Sequence, residues 1–210
     1  MVIRTFTTGV FATNAYLLTV SDSSEALLID APEDSYRQIT AALEGTGTRV
    51  AAILLTHGHW DHIVDLAAFQ RDGAIVHAHA DDQHLIEKPE LMSATIPPHI
   101  HVAPAKIDKS ISEGDQLEWW GKKIEIRHVP GHCPGNVLFY FPEEAAAFVG
   151  DAIFAGSVGR TDFPGCSFEQ LEESIKKRIY TLPDATVLYP GHGPKTSVEI
   201  EKKQNPFVRA

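Results

Sequence analysis

The stretch Thr56-His57-Gly58-His59-Trp60-Asp61-His62 places three imidazoles and a carboxylate within six positions, directly after the apolar run 50–55. Neutral imidazole is the commonest protein ligand for zinc-like metals, and a carboxylate adds compensating charge. Four such groups so close together are costly to bury unless a cation holds them. His57 and His59 are two apart, so an extended backbone points both the same way. Asp61 and His62 follow where the chain turns into a helix, and can reach a second ion beside the first. A lone His-x-His would be weak evidence. The full string at a strand end is specific, and a histidine-rich solvated loop is the weaker alternative.

The bulk properties frame this motif. A chain of 210 residues fits one domain, long enough to bury a sizeable core without disulfide staples. Two cysteines, Cys133 and Cys166, are too few for a secreted disulfide framework and read as thiols in a reducing compartment. The formal charge of −10 excludes nucleic acid as an expected partner, because phosphate binding needs a basic footprint. Met1-Val2-Ile3-Arg4-Thr5-Phe6 lacks a signal-peptide profile, and no apolar run approaches membrane-spanning length. The expectation is a cytoplasmic protein acting on a small molecule, away from membranes.

Working outward, 2–6, 15–20 and 25–30 read as a β-meander separated by turns such as Ser21-Asp22-Ser23-Ser24. Asp34 or Ser35 can cap a helix carrying Ile39 and Leu43 and ending near Gly45. The run 50–55 is a strand buried on both faces. Ile63, Leu66 and Ala67 give helical spacing up to Gly73, followed by a strand at 74–76 and a helix to Ile86. Residues 87–106 are proline-rich and read as irregular connection. Strands return from Asp115, with Ile124, Ile126 and His128 alternating, then 137–141 and 145–149. Ser167 with Gln170 makes a capping box for a helix bearing Leu171, Ile175 and Ile179. A last strand at 186–189 ends in Pro190-Gly191-His192-Gly193. Strands in each half with helices between them predict two facing sheets covered outside by helices.

Three more candidate ligands share the setting of the first motif. His132 stands in Pro130-Gly131-His132, Asp151 in Gly150-Asp151 and His192 in Gly191-His192-Gly193, each just beyond an apolar strand. Singly, each reads better as a capping or hydrogen-bonding residue. Together with His57, His59, Asp61 and His62 they make five imidazoles and two carboxylates, a number that suits two adjacent divalent ions with positions left for water.

In this order and these contexts, the seven residues resemble those of the metallo-β-lactamase-fold hydrolases. The segment from Gly150-Asp151 through Phe154-Ala155-Gly156-Ser157-Val158-Gly159-Arg160-Thr161-Asp162-Phe163-Pro164 to Gly165 resembles type II glyoxalase-like hydroxyacylglutathione hydrolases, as do Pro190-Gly191-His192-Gly193-Pro194 and Asn205-Pro206-Phe207. The resemblance covers nearly the whole chain. It implies an α+β protein with the metallo-β-lactamase-type αβ/βα four-layer sandwich, as a single domain over 1–210. It assigns His57, His59 and His132 to a first metal and Asp61, His62 and His192 to a second, with Asp151 bridging them. The best-known zinc β-lactamases carry cysteine where Asp151 stands, and oxygen-reducing diiron relatives carry glutamate where His59 stands, so neither reading applies. Full-length type II glyoxalases add a helical C-terminal extension. With eighteen residues beyond His192, this chain resembles the compact group without it.

The activity implied is thioester hydrolysis of S-D-lactoylglutathione to a hydroxy acid and glutathione, with two divalent ions, zinc first and iron or manganese as alternatives. Water acidified between the ions would attack the carbonyl, with Asp61 orienting it as the catalytic carboxylate. Thiolate leaves readily, so no separate general acid is expected. Asp30, after Leu27-Leu28-Ile29, is either a residue tying down the histidine loop or a turn former before Pro32. The main rival reading is a persulfide dioxygenase with one iron held by His57, His132 and Asp151. Another metallo-hydrolase of the fold with an unknown ester substrate is the third, and seven intact ligands argue against a binding protein without turnover. His77 and His79 lack the acidic-histidine continuation and read as solvent-facing, while His99 and His101 read as surface residues. His128 is either a donor behind the ligands or strand packing. Arg160 and Asp162 read as a pair shaping their loop, and the substrate-binding residues are not legible, with Lys195 and Arg160 the only candidates. Oligomeric state is equally hidden.

Overall fold

The computed structural model describes residues 1–209 and divides the chain into two compact units, Met1–Ser110 and Ile111–Ala210. The first unit runs β1 (Val2–Thr8), β2 (Thr13–Thr19), β3 (Glu25–Ile29), α1 (Ser35–Leu43), β4 (Arg49–Leu54), α2 (Trp60–Ile63), α3 (Leu66–Arg71), β5 (Ile75–His79) and α4 (Gln83–Glu87), with β6 (Lys109–Ile111) following a long connection. These strands form one six-stranded sheet in sequence order. β1 to β3 are antiparallel, as hairpins require, whereas β3, β4 and β5 run parallel and are joined through helices. Leu28, Ile53 and Val76 pack under α1, α2 and α3 with Ile39, Ile63 and Phe69. Their strand neighbours Leu27, Ile29 and Leu54 are equally buried on the other face, which is why β3 and β4 read as unbroken apolar runs.

Two local expectations are corrected. Neither Asp34 nor Ser35 caps α1 through its own side chain; Asp34 adopts φ +66° and turns its carboxylate to Arg37 and Gln38. The cap comes instead from Asp65, whose Oδ2 accepts the Tyr36 N–H at 2.8 Å. The single helix predicted up to Gly73 is split at the same residue. The Asp65 N–H leaves the helical ladder for the Ala31 carbonyl at 2.9 Å, and burial raises the Asp65 carboxyl above the usual range. The strand predicted at 74–76 extends through His79, which places His77 and His79 half-buried in β5.

The second unit runs β7 (Gln116–Trp119), β8 (Lys122–His128), β9 (Val137–Phe141), β10 (Ala146–Gly150), the short hairpin β11 (Ile153–Phe154) and β12 (Ser157–Val158), α5 (Phe168–Ser174), β13 (Val187–Pro190), β14 (Thr196–Ser197) and α6 (Val198–Gln204). Its six-stranded sheet has the order β14-β13-β10-β9-β8-β7. β8, β10 and β13 share one direction, because β9 is antiparallel to both β8 and β10 while β10 is parallel to β13. Ser167 caps α5 by accepting the Gln170 N–H, and a π-helical turn over Ile175–Ile179 continues it. Leu171, Ile175 and Ile179 all lie in the core with Leu138, Val149 and Leu188. α6 and β14 had no counterpart in the sequence reading.

Asn205-Pro206-Phe207 is a structural clasp. The Asn205 amide donates to the Ser157 carbonyl and to Glu201 Oε2, and its Oδ1 accepts the N–H groups of Phe207 and Val208. Glu201 is itself buried, and accepts from the Thr196 hydroxyl and the Gly156 N–H. A buried carboxylate with this many donors is well satisfied, and removing one donor leaves the rest of the network exposed to the desolvation cost. Among the described residues, no helix is long and apolar enough to cross a membrane. Asn205→Ala is expected to destabilise the protein by about 2–4 kcal/mol, read as a lowered midpoint in urea denaturation; an unchanged midpoint would show the clasp to be ornamental.

Candidate metal centre

In the first unit the donors gather at the C-terminal ends of three adjacent parallel strands. β3 delivers Asp30, β4 delivers Thr56 to His59, and the residues after β5 deliver Asp82. Loops at this edge of a parallel sheet are where ligand-binding groups collect. The His57 ring lies 4.7 Å from His59 and 4.2 Å from His62, centroid to centroid. Asp61 Oδ2 is 3.6 Å from His62 Nε2 and accepts the Thr13 hydroxyl at 3.0 Å.

Asp30 fixes this loop. Its carboxylate accepts the Thr56 N–H and the Thr56 hydroxyl, both at 2.8 Å, and the His62 Nδ1–H at 2.9 Å. A carboxylate only accepts, so the His62 proton is on Nδ1 and its lone pair is on Nε2. The Thr56 hydroxyl, already donating to Asp30, accepts at 3.1 Å from His57 Nδ1, which sets the same tautomer there. Asp82 is also buried, and its Oδ2 accepts the Gly58 N–H at 2.8 Å.

The second unit presents the remaining three at the ends of its like-directed strands. His132 follows β8, Asp151 follows β10 and His192 follows β13. Asp151 Oδ2 lies 3.6 Å from His132 Nε2 and 3.4 Å from His192 Nε2. His132 Nδ1 donates to the Arg160 carbonyl at 2.8 Å, again leaving the lone pair on Nε2. The segment carrying that carbonyl folds back tightly. A Cβ on Gly159 would stand 1.9 Å from the Asp151 carbonyl and 2.8 Å from His132 Nδ1. The Phe154 ring meets the His192 ring edge-on at 6.0 Å.

These spacings fit metal ligation. Ligands bonded to a tetrahedral ion at about 2.0–2.1 Å stand roughly 3.3–3.4 Å from one another. A neutral imidazole lone pair facing a carboxylate oxygen at such a distance is repulsive unless a cation lies between. Within the first unit Asp61 with His62, and within the second Asp151 with His132 and His192, show this spacing.

The other sequence candidates have ordinary roles. Burial pushes the His77 imidazole below its usual range, while His99 and His101 are exposed. His128 Nε2 donates to the Pro134 carbonyl at 2.7 Å, bracing the loop that carries His132. Arg160 pairs with Asp162 through two bonds of 3.0 and 2.9 Å and lies over the Phe163 ring. Lys195 is exposed, and Trp119 and Trp120 meet edge to face. Neither cysteine is in a disulfide; the Cys166 thiol contacts the His132 carbonyl at 2.8 Å. Thr13, Asp82 and the Arg160 carbonyl escaped sequence reading, since each acts across more than twenty residues without a local motif. For Asp82 a signal did exist: an acidic residue just past a strand parallel to the histidine-bearing one.

Comparison with known proteins agrees with this geometry. The sequence profile of the Metallo-beta-lactamase superfamily matches residues 8–192. The chain is 34% identical over 193 residues to the hydroxyacylglutathione hydrolase GloC of Haemophilus influenzae, covering 90% of each chain. It superposes on the crystal structure of the B3 metallo-β-lactamase BLEG-1 with TM-score 0.91 and 33% identity over 100% of both chains. The crystal structure of TTHA1623 in a di-iron-bound form gives TM-score 0.85 and 37% identity, covering 98% of this chain and 100% of that one. The expected metallo-β-lactamase fold, mixed α and β with two sheets, is therefore present, and the chain belongs to the metallo-β-lactamase superfamily as one of its metallo-hydrolases.

Proposed function

We propose that the seven donors act together on a pair of divalent ions, and that the protein hydrolyses a glutathione thioester of the S-D-lactoylglutathione type. The observation that carries this reading is Asp151. One of its oxygens stands 3.6 and 3.4 Å from two different histidine Nε2 atoms, as a carboxylate shared between two ions would. In this reading His57, His59 and His132 hold one ion, Asp61, His62 and His192 the other, and Asp151 bridges. Support for the substrate class comes from the GloC likeness, from the longer match around Asp151 and from the Pro-Gly-His-Gly-Pro turn at 190–194. The di-iron form of TTHA1623 supports two ions in this fold. Imidazole and carboxylate suit zinc, iron and manganese, and zinc is the proposed occupant.

When bound, the ions would supply Lewis acidity and a water made acidic near neutral pH. The protein's own part is orientation. Thr13 holds Asp61 by its hydroxyl, so the carboxylate can accept a hydrogen bond from the attacking water and aim its lone pair at the thioester carbon. Asp30 and the Arg160 carbonyl lock the tautomers of His62 and His132, which a rotating ring would otherwise lose. The C–S bond breaks with the sulfur leaving as thiolate, a good enough leaving group that no acid need protonate it.

Metal analysis of the purified protein is expected to find two ions per chain, and S-D-lactoylglutathione to be cleaved with release of free thiol. One iron per chain, with oxygen uptake on glutathione persulfide and no thioester cleavage, would replace this reading by the dioxygenase. His59→Ala should lose at least one ion; full loading in that variant would overturn the ligand assignment. Gly159→Ala should lower activity at least tenfold while the protein remains folded by circular dichroism, because the new methyl displaces His132 or the Asp151 backbone. Wild-type rates in that variant would show that the segment tolerates rearrangement.

A further inference from the structure

We infer that Asp82 is the positioning residue for His59, doing for that ring what Asp30 does for His62. The inference rests on the reading of His59 as a metal ligand. It begins with the sheet. The histidine loop leaves β4, the strand between β3 and β5, and each flanking strand sends a buried carboxylate to the same edge. From the β3 side Asp30 reaches Thr56 and His62. From the β5 side Asp82 reaches Gly58, the residue between the two histidines of His57-Gly58-His59.

The contact is tight enough to fix the carboxylate. A Cβ on Gly58 would stand 3.0 Å from Asp82 Cβ and 3.2 Å from Leu85 Cβ, so the start of α4 lies directly against the histidine turn. With Oδ2 held on the Gly58 N–H at 2.8 Å, the carboxylate is anchored one residue from His59, and its other oxygen, Oδ1, is the one assigned by this inference to that ring. A carboxylate oxygen beside imidazole accepts from Nδ1–H and leaves the Nε2 lone pair for the ion. His57, His62 and His132 each have an identified partner that sets this tautomer: Thr56, Asp30 and the Arg160 carbonyl. Asp82 completes the pattern for His59.

Asp82→Asn separates orientation from packing. Its Oδ1 still accepts the Gly58 N–H, so the fold is retained, but the amide NH2 then faces His59 Nδ1 and forces the proton to Nε2, the ligating atom. Chelator competition on the purified variant should show a ten- to hundredfold loss of affinity for one of two ions, with the thermal midpoint of the metal-free protein within a few degrees of wild type. The cobalt-substituted protein should show a changed visible spectrum. Two ions bound with unchanged affinity and spectrum would overturn the role of Asp82 while leaving the metal centre standing. A wild-type protein that takes up no metal would instead sink the centre itself. Should Asp82→Asn fail to fold, the wild type alone decides: long-range 15N–1H correlation on the metal-free protein should find His59 protonated at Nδ1. A proton on Nε2 would refute the inference.

Discussion

The start of the histidine loop depends on the buried carboxylate of Asp30. Asp30 takes a backbone φ of +57°, which costs a non-glycine residue about 1–2 kcal/mol. Its three hydrogen bonds, from an amide, a hydroxyl and an imidazole, contribute roughly 1.5–3 kcal/mol each where the acceptor is charged. The strain is therefore outweighed several times over. The geometry that results ends β3, starts the histidine turn and fixes the ring of His62 in one act. The end of a strand, the start of a loop and the protonation of a ligand are thus the same structural event.

The second unit solves a parallel problem without a carboxylate. His132 is oriented by the main-chain carbonyl of Arg160, brought back to it by the fold of residues 151–159. That fold is held from behind by Glu201 and Asn205, which grip Gly156 and Ser157 through backbone groups. A buried network remote from the donors along the chain therefore supports the ring that would bind the ion. Asn205-Pro206-Phe207 marks a kind of protein in the sequence, but its physical task is to keep a hairpin closed.

What could be read beforehand follows from how locally each feature is encoded. β4 and the histidine string were legible because apolar residues and donors are contiguous over 50–62. The run 137–141 was legible for the same reason and is β9 to the residue. The break between α2 and α3 was not, because Ile63, Leu66 and Ala67 keep helical spacing while the deciding bond runs to Ala31, over thirty residues away. α6 was missed because Glu199, Glu201, Lys202 and Lys203 give it a polar face, and its one deeply buried acid, Glu201, answers to partners that no local pattern reveals. Asp30 could be suspected from its place at a strand end. Asp82 stands in an equivalent place, but no histidine lies next to it in the sequence to mark it, and its bond to Gly58 spans twenty-four residues.

The close passage at Gly159 also shapes how this protein can diverge. Where a single hydrogen already fills the space between two backbones and a ring, no side chain can be accepted without moving a donor. Ala155 on one side, and Asp162 and Pro164 on the other, face solvent and carry no such restriction. Novelty in what the protein recognises is therefore channelled into the flanks of this segment, while its midpoint stays frozen by lack of room.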